Sequence, residues 1–103
     1  MTDNRFALVA TLTAKPGEED AVGNALNEMV SKMADEPDTL VYCLNRYADD
    51  PAKFVLYEIF VDEETWRRHA DTEAIEWLRV QLKDRTIDTE IVRLQPINAK
   101  GLA

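Results

Sequence analysis

Two residues of this chain have types and spacing that suit chemistry: His69, the only histidine among 103 residues, and Glu58, eleven positions earlier. An imidazole is the side chain that ordinarily changes charge near neutral pH. Glu58 is the one carboxylate inside the apolar run Phe54 to Val61, FVLYEIFV. Together they can serve acid–base chemistry, with His69 as base or orienting group and Glu58 orienting it or holding a substrate hydroxyl. The same pair can instead be a latch tying the end of a helix to a strand, with Glu58 a satisfied buried acid. Both readings stand on the sequence alone.

The elements that must position them follow from periodicity. Strand side chains alternate, so Phe54, Leu56, Glu58 and Phe60 point one way and Val55, Tyr57, Ile59 and Val61 the other. Both sets are apolar apart from Glu58, so both faces need cover. Asp62 has the character of an N-cap, with Glu63 and Glu64 in the first turn of the helix that carries His69. That helical region extends to about Lys83, with a pause at Asp71-Thr72 where Thr72 can recap the chain. Ile75, Leu78 and Leu82 form its later apolar stripe, with Trp77 beside it.

Upstream, Phe6 to Thr13 is a strand apolar on both parities, closed by the turn Lys15-Pro16-Gly17. Val22, Leu26, Met29 and Met33 then repeat at helical spacing to about Ala34, with Glu18, Glu19 and Asp20 at the N-terminal end. The two methionines read as core filler. Glu36-Pro37-Asp38 breaks that helix. Thr39 to Tyr47 is a second strand, and Ala48-Asp49-Asp50-Pro51 is a short connector that predicts an antiparallel hairpin with the Phe54 strand. Thr86 to Leu94 is a fourth strand.

The order strand, helix, strand, strand, helix, strand predicts an α+β, ferredoxin-like βαββαβ fold with a four-stranded antiparallel sheet. Right-handed crossovers put both helical regions on one face. The other face is left apolar and bare. Covering several hundred Å² at ~25 cal/mol per Å² is worth on the order of 10 kcal/mol before association costs. A homodimer formed by sheet-to-sheet packing is the economical cover.

Composition narrows the function. One domain over residues 1–103 is expected, with 96–103 as a C-terminal tail that is loose or docks elsewhere; three Gly and four Pro leave no room for a linker. A net charge of −8 argues against nucleic acid and anionic membrane surfaces. No apolar run is long enough to span a bilayer and MTDNR lacks the layout of a signal peptide, so a cytoplasmic location is expected. The lone Cys43, in the apolar run LVYCL, reads as a small buried hydrophobe rather than a reactive thiol. Arg46 reads as half of an exposed ion pair, or as an anion binder. There is no spaced metal-ligand set, no glycine-rich phosphate loop and no partnered nucleophile. What remains is a small-molecule pocket between sheet and helices. Trp66, Tyr42, Tyr57 and Trp77 are its candidate aromatic lining. Parity does not say which tyrosine faces the cavity, and the tryptophans also read as core.

The ordered set Ala14-Lys15-Pro16-Gly17-Glu18-Glu19-Asp20, Glu36-Pro37 with Leu40-Val41-Tyr42, Phe54 to Glu58, and Asp62 to His69 resembles the antibiotic biosynthesis monooxygenase domain over roughly residues 6 to 80. Asp38 stands where that family usually has Gly after Glu-Pro. The resemblance implies a dimeric α+β barrel. It also implies a monooxygenase acting on a hydroxylated aromatic or quinol with molecular oxygen, using no metal or flavin cofactor, with His69 and Glu58 catalytic. The family's haem degraders use an Asn on the first strand, a Trp on the second helix and a later His. Here the first strand has no Asn, His69 stands near the Trp position and Val80 near the His position. A non-catalytic ligand-binding dimer and an isomerase of a small carbonyl compound are the alternatives.

Overall fold

The computed structural model describes residues 3–102. Strand β1 (Phe6–Ala14) leads through helix α1 (Glu19–Lys32) and a 3-10 turn (Met33–Asp35) to β2 (Thr39–Tyr47). Then come β3 (Asp50–Phe60), α2 (Glu63–Ala70), α3 (Glu73–Leu82) and β4 (Thr86–Leu94). The strands form one four-stranded antiparallel sheet in the order β2-β3-β1-β4. This is the ferredoxin-like α+β arrangement expected from the pattern.

Local chemistry explains the boundaries. Gly17 at φ +87° completes the Lys15-Pro16-Gly17 turn, with Glu18 N–H donating to the Lys15 carbonyl at 2.9 Å. Asp62 accepts from the Thr65 N–H at 2.8 Å and so starts α2. Its carboxyl is held below the usual range by that backbone hydrogen bond and by the Thr65 hydroxyl.

Thr72 ends one helix and starts the next. Its hydroxyl donates to the His69 carbonyl at 2.9 Å and accepts from the Ile75 N–H at 3.3 Å. Replacing Thr72 by alanine is therefore expected to cost about 1 kcal/mol in urea unfolding.

Strand β3 begins at Asp50 rather than Phe54, so the hairpin loop is only Ala48-Asp49. Pro51 is tolerated because the β2–β3 register shifts there, from Arg46 opposite Phe54 to Tyr47 opposite Asp50, and β1 pairs no further than Lys53.

The core lies on the helix side of the sheet. Phe54, Leu56 and Phe60 of β3 and Leu8, Ala10 and Leu12 of β1 pack against Val22, Leu26, Met29 and Met33, with Leu78 of α3. Both methionines are core residues, as their spacing suggested. On the other face two rows cross all four strands: Cys43, Tyr57, Val9 and Val92, then Val41, Ile59, Ala7 and Leu94. Ala7 and Ile59 are buried within the one chain, while Tyr57, Val92 and Leu94 are exposed. Cys43 departs from expectation: it is exposed, because it sits opposite Tyr57 on the face no helix covers. Among the described residues no helix is long and apolar enough to cross a membrane.

Candidate functional site

Three elements converge on one imidazole. Glu58 sits mid-strand in β3, paired with Leu8 of β1 and Tyr42 of β2, so it faces the helices. His69 lies in the last turn of α2, 4% exposed. Its Nε2 is 3.9 Å from Glu58 Oε1 and its Nδ1 is 3.0 Å from Glu36 Oε1. The first distance is beyond a direct hydrogen bond and leaves the pair poised rather than closed; the second is a hydrogen bond. Tyr42 and Phe60 flank the imidazole, with ring centroids 5.9 and 5.3 Å away.

A cavity of about 300 Å³ opens beside this cluster, lined by Glu58, Trp66, His69 and Arg79 and by the aliphatic Leu8, Ala10, Ala70, Ile75, Leu78, Leu82 and Ile91. Trp66 is fixed at its wall, stacked on Phe6 at 4.7 Å with the Arg93 guanidinium 4.8 Å over its ring. The arrangement is an apolar chamber with a few convergent polar groups, the usual form of a small-molecule site.

Electrostatics tune the polar groups. Burial, and then the charge of Glu36, push the Glu58 carboxyl up to about 7 from an ordinary 4.5. Burial also raises the Tyr42 phenol, reinforced by Glu58 and Glu36, so it remains a neutral donor. The shift at Glu58 has a sign consequence. Below pH 4.5 folded and unfolded chains both hold its proton. As pH rises through about 7 the folded chain must ionise a buried acid, and that stability is lost. Wild type is expected to lose about 3 kcal/mol relative to Glu58→Gln across this window. Paired urea titrations at each pH measure it.

The expected residues separate into two groups. His69, Glu58, Trp66 and Tyr42 come together. Tyr57 does not: its odd parity in β3 puts it on the helix-free face, opposite Cys43 and Val9. Trp77 is also elsewhere. One residue before the buried Leu78, it lines a groove on the outer side of Glu36 rather than the chamber, with the Lys32 ammonium 4.6 Å over its ring. Arg46 is not half of an ion pair among the described residues; its guanidinium lies 5.0 Å over the Phe54 ring. Glu36 is the site residue that sequence reasoning missed. Its signal was present: Glu36-Pro37 breaks a helix and belongs to the ordered set that carries the resemblance, but neither gives Glu36 a role at the site. Among the described residues no His, Cys, Asp and Glu cluster is placed to hold a metal ion.

Comparison with known proteins agrees with this architecture. A Pseudomonas aeruginosa protein superposes with TM-score 0.87 at 24% identity, covering 95% of this chain and 99% of its own. A Nitrosomonas europaea protein named for antibiotic biosynthesis monooxygenases gives TM-score 0.89 at 20% identity, covering 98% of each chain. Another structure, described as an antibiotic biosynthesis monooxygenase, is 26% identical at TM-score 0.83, over 90% of this chain and 99% of that one. A search of curated proteins finds no significant match. The sequence model of antibiotic biosynthesis monooxygenases matches residues 5–77, most of the chain and every residue of the His69 cluster. On that match, the chain belongs to the antibiotic biosynthesis monooxygenase family.

Proposed function

We propose that this protein is a cofactor-independent monooxygenase that oxidises a hydroxylated aromatic or quinol with molecular oxygen, working as a homodimer. One observation carries the reading: an imidazole set between two carboxylates at the wall of an apolar chamber. Family membership supports the same reaction class.

His69 Nε2 takes the substrate hydroxyl proton, leaving an electron-rich aryl oxide. The protonated form of Glu58 and the Tyr42 phenol are donors that can steady that anion in a largely apolar chamber. Two electrons from the ring pass to oxygen as a carbon–oxygen bond forms, giving a carbon-bound peroxide anion. The proton on that carbon transfers to the terminal oxygen as the O–O bond breaks, leaving a carbonyl and hydroxide. The proton held on His69 turns the hydroxide into water, and the imidazole is ready again. Aliphatic walls favour this chemistry over isomerisation of a small polar carbonyl compound.

Oxygen uptake by the protein with a panel of mono- and bicyclic quinols tests the proposal directly. No uptake with any of them, from protein shown to be folded, would remove it. A second reading, a ligand-binding dimer in which His69 is a latch, is favoured by the deep burial of that ring. It predicts quinol binding without oxygen consumption.

The homodimer has its own test. Val92 is 46% exposed in the outer row of the helix-free face, at an edge strand where a substitution leaves the core untouched. Wild type is expected to sediment at twice the chain mass. Val92→Asp is expected to weaken that association by about 10²-fold or more, because two-fold symmetry buries the new charge twice. A wild-type monomer at all concentrations would remove the dimer.

A further inference from the structure

His69 stands between two different spaces. On its Nε2 side is the apolar chamber; on its Nδ1 side a cavity of about 230 Å³ is lined by Asp35, Glu36, Asp38, Thr65, Arg68 and Thr72, among others. Glu36 reaches the ring from that outer side. Its place is fixed by the backbone. Pro37 forbids helical geometry in the residue before it, and Glu36 accordingly takes φ −118° and ψ 85°, turning the chain out of the 3-10 turn. Glu36 N–H donates to the Met33 carbonyl at 3.0 Å, Thr39 N–H to the Glu36 carbonyl at 3.1 Å, and the Thr39 hydroxyl to Glu36 Oε1 at 3.3 Å. The carboxylate is therefore held before any substrate arrives.

We infer that Glu36 is the positioning residue of this site: it fixes His69 as the Nδ1–H tautomer, so that the Nε2 lone pair faces the chamber and Glu58. An ionised carboxylate only accepts hydrogen bonds, so the ring nitrogen 3.0 Å from it must carry the proton. The other charged or titratable groups facing the ring are Glu58 from β3 and Tyr42 from β2, with Asp35, Asp38 and Arg68 around the outer cavity and Arg79 in the chamber. Of these, Glu58 lies 3.9 Å from Nε2, so Glu36 makes the one direct side-chain hydrogen bond to the ring among the described residues. The inference deepens the proposed function by naming what orients its base.

Because the chain has a single histidine, one pair of ring-nitrogen signals reports on this site without ambiguity. Long-range proton–nitrogen correlation on ¹⁵N-histidine-labelled protein, at a pH where the ring is neutral, is expected to show Nδ1 protonated and Nε2 bare. In Glu36→Gln the carboxamide oxygen still accepts, so that tautomer is retained. In Glu36→Ala it is expected to give way to the Nε2–H form that a free histidine side chain prefers. Wild type in the Nε2–H form would overturn the inference, and so would an unchanged tautomer in Glu36→Ala. The wild-type spectrum decides the question even if the alanine variant does not fold. Turnover adds a split that a merely structural contact would not give: Glu36→Ala is expected to lower kcat by about tenfold or more with KM little changed, and Glu36→Gln to recover most of it. The tautomer is read with no substrate present. A failed oxygen assay would therefore overturn the proposed function and leave this inference to its own spectrum.

Discussion

Replacing His69 by alanine is expected to lower oxygen-dependent quinol turnover by about 10²-fold or more, the usual worth of a positioned base. The ring is buried at the chamber wall. Glu58 lies 3.9 Å from it, and with its carboxyl pushed up to about 7 it is partly protonated near neutrality, the form that serves as a donor in the proposed reaction. Removing the imidazole also leaves Glu36 without its hydrogen-bond partner, which makes loss of stability a confounder. Two measurements separate the effects. Turnover is compared only between samples with matched folded fractions in near-UV circular dichroism. His69→Gln, which keeps a donor near Glu36 but no base, should fold better than the alanine variant and remain equally inactive. Wild-type turnover in either variant would strip His69 of its role and return the Glu36–His69 contact to that of a latch. Binding is expected to change much less than kcat, since the walls that hold an aromatic ring are Trp66 and the aliphatic side chains.

The fold was legible because its signals are local and redundant. Val22, Leu26, Met29 and Met33 mark α1 by period, Asp62 and Thr72 mark two helix starts by chemistry, and Pro16-Gly17 marks a turn. The pair His69 and Glu58 stood out for its rarity, and the topology brings it together. Other features depended on facts that period and propensity do not carry. Glu36 reaches the site because Pro37 turns the chain beneath α2, a contact across 33 positions of sequence that looked only like the end of a helix. Tyr42 and Tyr57 both lie in apolar strands. Only the antiparallel register, Tyr42 opposite Glu58 and Cys43 opposite Tyr57, puts one at the site and the other on the bare face. Cys43 was misread for the same reason, since an apolar run does not tell which face of the sheet a residue takes, and Cys43 takes the one no helix covers. Trp77 is adjacent in sequence to a buried stripe and therefore about 100° away from it on the helix.

Phe60 ties the stability of the molecule to the tuning of its site, and Phe60→Ala is the substitution expected to cost most in folding. The side chain is fully buried, its ring 6.5 Å from Phe6 and 5.3 Å from His69. Truncating it should destabilise the protein by about 3–5 kcal/mol, from lost transfer energy and the cavity left behind. The rigid strand on which Phe60 sits, paired with Phe6 on one side and Thr39 on the other, has little freedom to collapse into that space. Phe60→Leu fills most of the volume and should cost about 1 kcal/mol, so the pair of variants distinguishes a void from a loss of aromatic contact. A second effect follows at the site. Water admitted to the void would hydrate Glu58, whose lowered acidity comes first from burial. Its carboxyl should then titrate closer to 4.5 in Phe60→Ala than in wild type. Carbon-detected titration of the labelled Glu58 carboxyl reads that shift, and urea unfolding reads the stability. A loss below about 1 kcal/mol in the alanine variant, with Glu58 unmoved, would mean that Phe60 neither supports the core nor keeps the chamber dry.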